Sequence, residues 1–230
     1  MPSQQDADHA VTGAAAGAAP RHLLGSAAAA LALAALTALV ASGSDLVSAF
    51  DEKVRAGADR AFGTSAGSWL GADGPADAVG SALLGACLLT VLGVLVHRRR
   101  PGAALWVLAG LTVQFAAETA LETLVGRPMP LSADGPAADS GYSFPSGHMA
   151  SATLLVLVLL VVLRTGTRMW WSCLGLGSVL VAAVGVSRVL ADAHHATDVA
   201  GGVLLGFVVG CAVAWRVDAG PPHSSGRETR

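Results

Sequence analysis

The sequence predicts an all-α fold, a six-transmembrane-helix bundle. Three observations carry this. Of the 230 residues, 53% are hydrophobic and only 13% are charged, about half of the roughly 25% charge of a soluble domain. The apolar residues fall in six long runs. Most of the remaining polar interest gathers in two short islands between runs. This balance excludes a disordered chain, which needs low hydrophobicity and high charge. A net charge of −2 gives no sign of a nucleic-acid partner. The expected partner is the bilayer.

Each element has its own justification. A bilayer's hydrocarbon core takes about 20 apolar residues in a helix. The runs cover approximately 22–41, 78–96, 103–125, 149–163, 171–190 and 199–215. The first follows Asp6 and Asp8 rather than a basic segment, so it reads as a retained anchor and not a cleaved signal. The fourth is short and reaches spanning length only if its helix begins near Ser146. Gly175, Gly177, Gly201, Gly202, Gly206 and Gly210 lie inside the last two runs, where small residues permit close helix contact. Residues 1–20 and 218–230 are polar and read as disordered tails flanking a membrane domain at 21–217. In the loop at 44–75, Leu46, Phe50, Val54 and Phe62 fall at near-helical spacing. That helix either lies along the membrane surface or packs on the bundle. Cys87, Cys173 and Cys211 all sit in apolar runs, which argues against a disulfide framework.

Thirteen arginines and one lysine, with no Ile or Asn, point to a GC-rich, bacterial genome. With the N-terminus inside, nine basic residues fall on inner segments and five on outer ones. The positive-inside rule then predicts a multi-pass protein of the bacterial inner membrane. Both termini are expected in the cytoplasm and both polar islands on the extracytoplasmic face.

The first island is Tyr142-Ser143-Phe144-Pro145-Ser146-Gly147-His148. Pro145 and Gly147 suggest a tight turn, and Ser146 a cap for the fourth span. A helix N-terminus offers unpaired N–H groups to an anion such as phosphate. The second island runs from Ser187-Arg188 through Asp192, His194 and His195 to Asp198. Arg188 can fork onto an anionic oxygen. His194 and Asp198 are four apart, so they share a face if the sixth helix begins there. A carboxylate bonded to one imidazole nitrogen leaves the other free to attack. Asp192 reads as solvated loop charge and His195 as a polar interface residue.

Pro145-Ser146-Gly147-His148 and Ser187-Arg188-x5-His194-x3-Asp198 resemble the second and third signatures of the type 2 phosphatidic acid phosphatase superfamily. This is the lipid phosphate phosphatase and vanadium haloperoxidase group. The resemblance implies a bundle of the lipid phosphate phosphatase type and hydrolysis of a phosphorylated lipid, with no metal and no cofactor. His194 is implied as the nucleophile that becomes a phosphohistidine, Asp198 as its orienting carboxylate and His148 as the general acid. Arg188, Ser146 and the Gly147 N–H are implied as phosphate ligands.

The family's first signature, Lys-x6-Arg-Pro, is altered. One frame puts Glu122 at the lysine and Met129 at the arginine; the other keeps Arg127-Pro128 but puts Ala120 at the lysine. Neither frame has the lysine. Glu118 and Glu122 are four apart and expected on one groove. Arg127 is the expected compensator, either binding phosphate or neutralising Glu122; an ion pair of the glutamates with Arg127 or Arg188 is the plainer reading. Undecaprenyl pyrophosphate is one attractive substrate, though no residue selects it. A non-catalytic phospholipid-binding or scaffold member is the alternative, and a metal hydrolase using His148, His194, His195 and Asp198 a third.

Overall fold

The computed structural model describes residues 24–63, 75–130, 141–163 and 166–219. The predicted tail at 1–20, residues 220–230 of the tail predicted at 218–230, and 64–74 of the outer loop lie outside the described residues; residues 218–219 belong instead to the last helix. Seven helices follow in order. They are α1 (Leu24–Ala41), α2 (Asp45–Phe62), α3 (Pro75–His97), α4 (Pro101–Val125), α5 (Gly147–Val162), α6 (Arg168–Leu190) and α7 (Ala196–Ala219).

Five of these helices, α1, α3, α4, α6 and α7, are long and apolar enough to cross a membrane. The shorter α5, with 16 residues, begins at Gly147 directly after Ser146, where the sequence predicts its start. Leu31, Leu89, Leu105, Phe115, Trp171 and Leu176 point outward, which suits a multi-pass membrane protein whose outer surface meets lipid.

The core forms where α3, α4, α5 and α7 meet, around Val91, Leu95, Val107, Leu154, Val158 and Val217. The α5–α7 contact is closest, and glycine explains why. A Cβ at Gly202 would fall against the Ser146 carbonyl, one at Gly206 against that of Ala150, and one at Gly210 2.9 Å from Leu157. These three positions recur every fourth residue, so they form one smooth stripe along α7. Gly175 differs from this expectation, since no atom lies within 4 Å of its would-be Cβ.

The bundle has two chemically distinct ends. At one, Arg98 donates to the Val162 carbonyl (2.6 Å) and Arg100 to the Val217 carbonyl. These arginines satisfy carbonyls at the C-terminal ends of α5 and α7. At the other end both polar islands meet. There α2 docks through Val47 and Asp51, both buried, and turns Leu46 and Phe50 outward. The helix therefore packs on the bundle while part of its predicted apolar stripe faces away from it.

Candidate active site

Three backbone ends converge at this second end: the N-terminus of α5, the C-terminus of α6 and the N-terminus of α7. The Ser146 N–H donates to the Asp198 carbonyl at 3.1 Å, pinning the first island to α7. Ala193 and His194 N–H groups donate to the Arg188 carbonyl (3.1 and 3.2 Å), folding the second island back on α6. Asp192 adopts a positive φ of 53°, a conformation Asp tolerates better than most residues. It is not solvated charge: Arg55 of α2 forks onto its two oxygens at 2.6 and 2.8 Å.

A cavity of about 650 Å³ opens here. Its walls include His148 from α5, Arg188 from α6 and His194 from the following turn. Facing them are Gln114, Glu118 and Glu122 of α4. Ser146 and Asp198 do not line it; both are fully buried behind it. The Ser146 hydroxyl makes no capping bond, contrary to its sequence reading, and has no hydrogen-bond partner among the described residues.

The histidine pairing also differs from expectation. His194 Nδ1 lies 2.9 Å from the Ser143 carbonyl oxygen, not on Asp198. A carbonyl only accepts, so Nδ1 carries the proton and Nε2 keeps its lone pair. Burial holds the His194 imidazole below the ordinary histidine range, while the Asp198 charge and the Ser143 carbonyl pull the other way. Neutral imidazole is the form a nucleophile needs. Asp198 instead accepts from the His195 backbone N–H (2.7 Å) and His195 Nδ1 (3.1 Å). Since His195 precedes the first turn of α7, this is the reciprocal half of a capping box. His195 thus holds the α7 entry rather than decorating an interface.

Arg127 is the second correction. It reaches neither the cavity nor a glutamate. Its guanidinium donates to Thr197 Oγ1 (2.7 Å), Asp198 Oδ1 (2.6 Å) and Asp51 Oδ2 (2.6 Å). Asp51 also accepts from the Thr197 N–H and hydroxyl, placing a carboxylate on the positive end of α7. Arg127 is therefore the neutralising centre of a buried cluster that ties α2 to α7.

Gly147 is helical, so a turn does not explain it. A Cβ there would fall inside the Glu118 carboxyl group. His148 Nε2 lies 3.2 Å from Ser81 Oγ on α3. Among the described residues, no three His, Cys, Asp or Glu side chains gather to hold a metal.

The family model described as "PAP2 superfamily" matches residues 74–220. The chain belongs to the PAP2 superfamily. It is 36% identical over 140 residues to a decaprenylphosphoryl-5-phosphoribose phosphatase of Mycobacterium tuberculosis, covering 58% of this chain and 72% of that one; the protein from a second strain matches equally. Its fold is similar to that of a membrane PAP2-type phosphatidylglycerolphosphate phosphatase from Bacillus subtilis, with a TM-score of 0.65 and 22% identity. That match covers 82% of this chain and 94% of the other.

Within a PAP2 site, the altered first signature now has a location. Glu122 and Met129, the residues of one frame, line the cavity; Arg127 of the other does not. Neither Glu118 nor Glu122 forms an ion pair among the described residues. Sequence reasoning assigned nothing to Ser143, Ser81, Asp51 or Gln114. Only Gln114 carried a readable signal, a polar residue in an apolar helix four before Glu118 and eight before Glu122.

Proposed function

We propose that this PAP2 phosphatase hydrolyses a phosphorylated lipid, a phosphomonoester or pyrophosphate, through a phosphohistidine on His194. One observation carries the reading: His194 is fixed as the Nδ1–H tautomer by Ser143 and lines the same cavity as His148 and Arg188. The Nε2 lone pair attacks phosphorus and the ester P–O bond breaks. His148, as imidazolium, gives its proton to the departing oxygen. Arg188 and the Gly147 N–H neutralise the equatorial oxygens, which is most of what phosphoryl transfer requires. Water then attacks the phosphohistidine, His148 takes its proton, and the P–N bond breaks. Neither half-reaction uses a metal.

The bundle is read as six spans with both termini cytoplasmic and the cavity extracytoplasmic. A 16-residue helix rises about 24 Å, short of the roughly 30 Å hydrocarbon core. The buried stretch Ser143–Ser146 extends it, and non-helical backbone at membrane depth is tolerated when enclosed by protein. The basic residues at the opposite end support this orientation. The mycobacterial relative makes a polyprenyl-linked substrate a natural candidate.

The test is phosphate release by purified protein from phosphatidate, phosphatidylglycerol phosphate and a polyprenyl pyrophosphate, with and without chelator. The expected result is chelator-insensitive turnover, an acid-labile phosphoprotein, and a loss of at least about 10³-fold in His194→Ala. Turnover persisting in His194→Ala overturns the phosphohistidine. Binding of these lipids with no turnover favours a non-catalytic head-group binder instead.

A further inference from the structure

The cavity has two walls of opposite hydrogen-bonding character. The wall of α5, α6 and the α6–α7 turn supplies Arg188, His148 and His194. The facing wall is α4, where Gln114, Glu118 and Glu122 recur every fourth residue and so share one face. All three line the cavity. Gln114 is 2% exposed. Its Nε2 is engaged with Ser151 Oγ (3.2 Å) and Glu118 Oε2 (3.5 Å). That orientation leaves Gln114 Oε1 as a buried acceptor with no donor among the described residues. A buried polar atom that lacks a partner costs free energy unless a ligand or water supplies one. Beside it, the Glu118 carboxyl group abuts Gly147, the residue next to His148.

We infer that Gln114, Glu118 and Glu122 form a head-group subsite for hydroxyl donors, selecting a lipid whose phosphomonoester sits on a polyhydroxylated group such as a sugar. This rests on the phosphatase reading above and narrows it. Hydroxyls next to the phosphate present O–H donors to Gln114 Oε1 and the carboxyl oxygens. Ser81 and Ser151, which also line the cavity, can both donate and accept, as a hydroxyl can and an ammonium cannot. A bare alkyl phosphate leaves Gln114 Oε1 unpaired. A pyrophosphate sets its second phosphate's oxygens, acceptors themselves, against an acceptor wall. Sites built to hydrogen-bond a substrate hydroxyl discriminate strongly against analogues that lack it.

The test compares kcat/KM for a prenyl-phosphoryl pentose 5-phosphate, phosphatidate and farnesyl pyrophosphate on the full chain in detergent. In the wild type the sugar phosphate is expected to exceed each of the others by about 100-fold. Gln114→Leu and Glu118→Leu are each expected to lower that ratio at least about 10-fold, chiefly through KM. Glu118→Gln, which keeps an acceptor oxygen, restores most of it. Two variants guard against misfolding of either one. A wild type that turns over all three lipids equally overturns the subsite but leaves the phosphatase intact. So does a uniform loss on all three in both variants. A wild type that turns over none overturns the phosphatase reading and this inference with it.

Discussion

Arg127 Nη1 donates to Asp198 Oδ1 at 2.6 Å, deep behind the cavity, while Nη2 reaches Asp51 at the same distance. Arg127, the arginine of the Arg127-Pro128 frame, thus holds the fold of the site and does not line the cavity. Removing one partner from a buried ion pair typically costs about 3–5 kcal/mol. Arg127→Met is expected to lose at least about 3 kcal/mol of stability on that basis, read as a fall in melting temperature in detergent. Inhibition by inorganic phosphate separates the roles. In Arg127→Lys the inhibition constant stays within about 3-fold, whereas Arg188→Lys weakens it about 10-fold or more, as loss of a fork on an anion requires. Equal weakening by both would place Arg127 on the phosphate.

As the proposed nucleophile, His194 is expected to set the acid limb of activity. Burial lowers its pKa below the ordinary value of about 6.5. In the proposed mechanism the neutral imidazole attacks, so activity is expected above that pKa and is lost as pH falls through it. The acid limb of kcat/KM, corrected for the substrate's own second ionisation near about 6, is expected below 6.5. Asp198 raises the His194 pKa, so Asp198→Asn moves the limb further down. A limb at pH 7 or above, or an upward move in Asp198→Asn, contradicts this assignment.

His148, beside Ser81 at 3.2 Å, is the group proposed to protonate the leaving oxygen. A good leaving group needs no such proton. His148→Ala is expected to slow an alkyl phosphate by about 10²–10⁴-fold and p-nitrophenyl phosphate by only about 10-fold. Equal losses would make His148 a phosphate ligand rather than an acid.

What the sequence disclosed follows from what each interaction depends on. Spans are long and their apolar periodicity is local, so five were legible by length alone, and Ser146 marked the start of the shorter α5. His194, His148 and the cavity arginine Arg188 lie within two short motifs whose spacing already places them at helix ends. Partner choice was not legible. Whether His194 faces Ser143 or Asp198 depends on how the first island loops over α7. Arg127 finds Asp51 because α2 docks there, a contact between residues 76 apart with no local trace. Gly147 reads as a turn in sequence because Glu118, which fills the space of its Cβ, is 29 residues away.

The α7 glycine stripe predicts a sharp contrast. A Cβ at Gly202 would meet the Ser146 carbonyl and Met149 Cβ (2.8 Å), while at Gly175 it would meet nothing within 4 Å. Overpacking costs about 1–3 kcal/mol, and here the displaced group is the turn that carries Gly147 and His148. Gly202→Ala is expected to lower both melting temperature and turnover. Gly175→Ala, in a helix where Ala is favoured by about 0.5–1 kcal/mol, leaves turnover unchanged and raises the melting temperature slightly. The reverse order would mean that α5 and α7 do not pack through this stripe.

Glu122 and Met129 line the cavity where the family's first signature would bring a lysine and an arginine. Each missing cation is a missing charge-assisted hydrogen bond, worth about 1.5–3 kcal/mol, or roughly 10- to 100-fold. Glu122→Lys combined with Met129→Arg restores both charges at positions that already face the substrate space. The double variant is expected to bind inorganic phosphate at least about 10-fold more tightly and to raise turnover of phosphatidate. Turnover left unaltered or lowered, with phosphate affinity unchanged, would mean that Arg188 and the two histidines already supply all the phosphate binding this site uses.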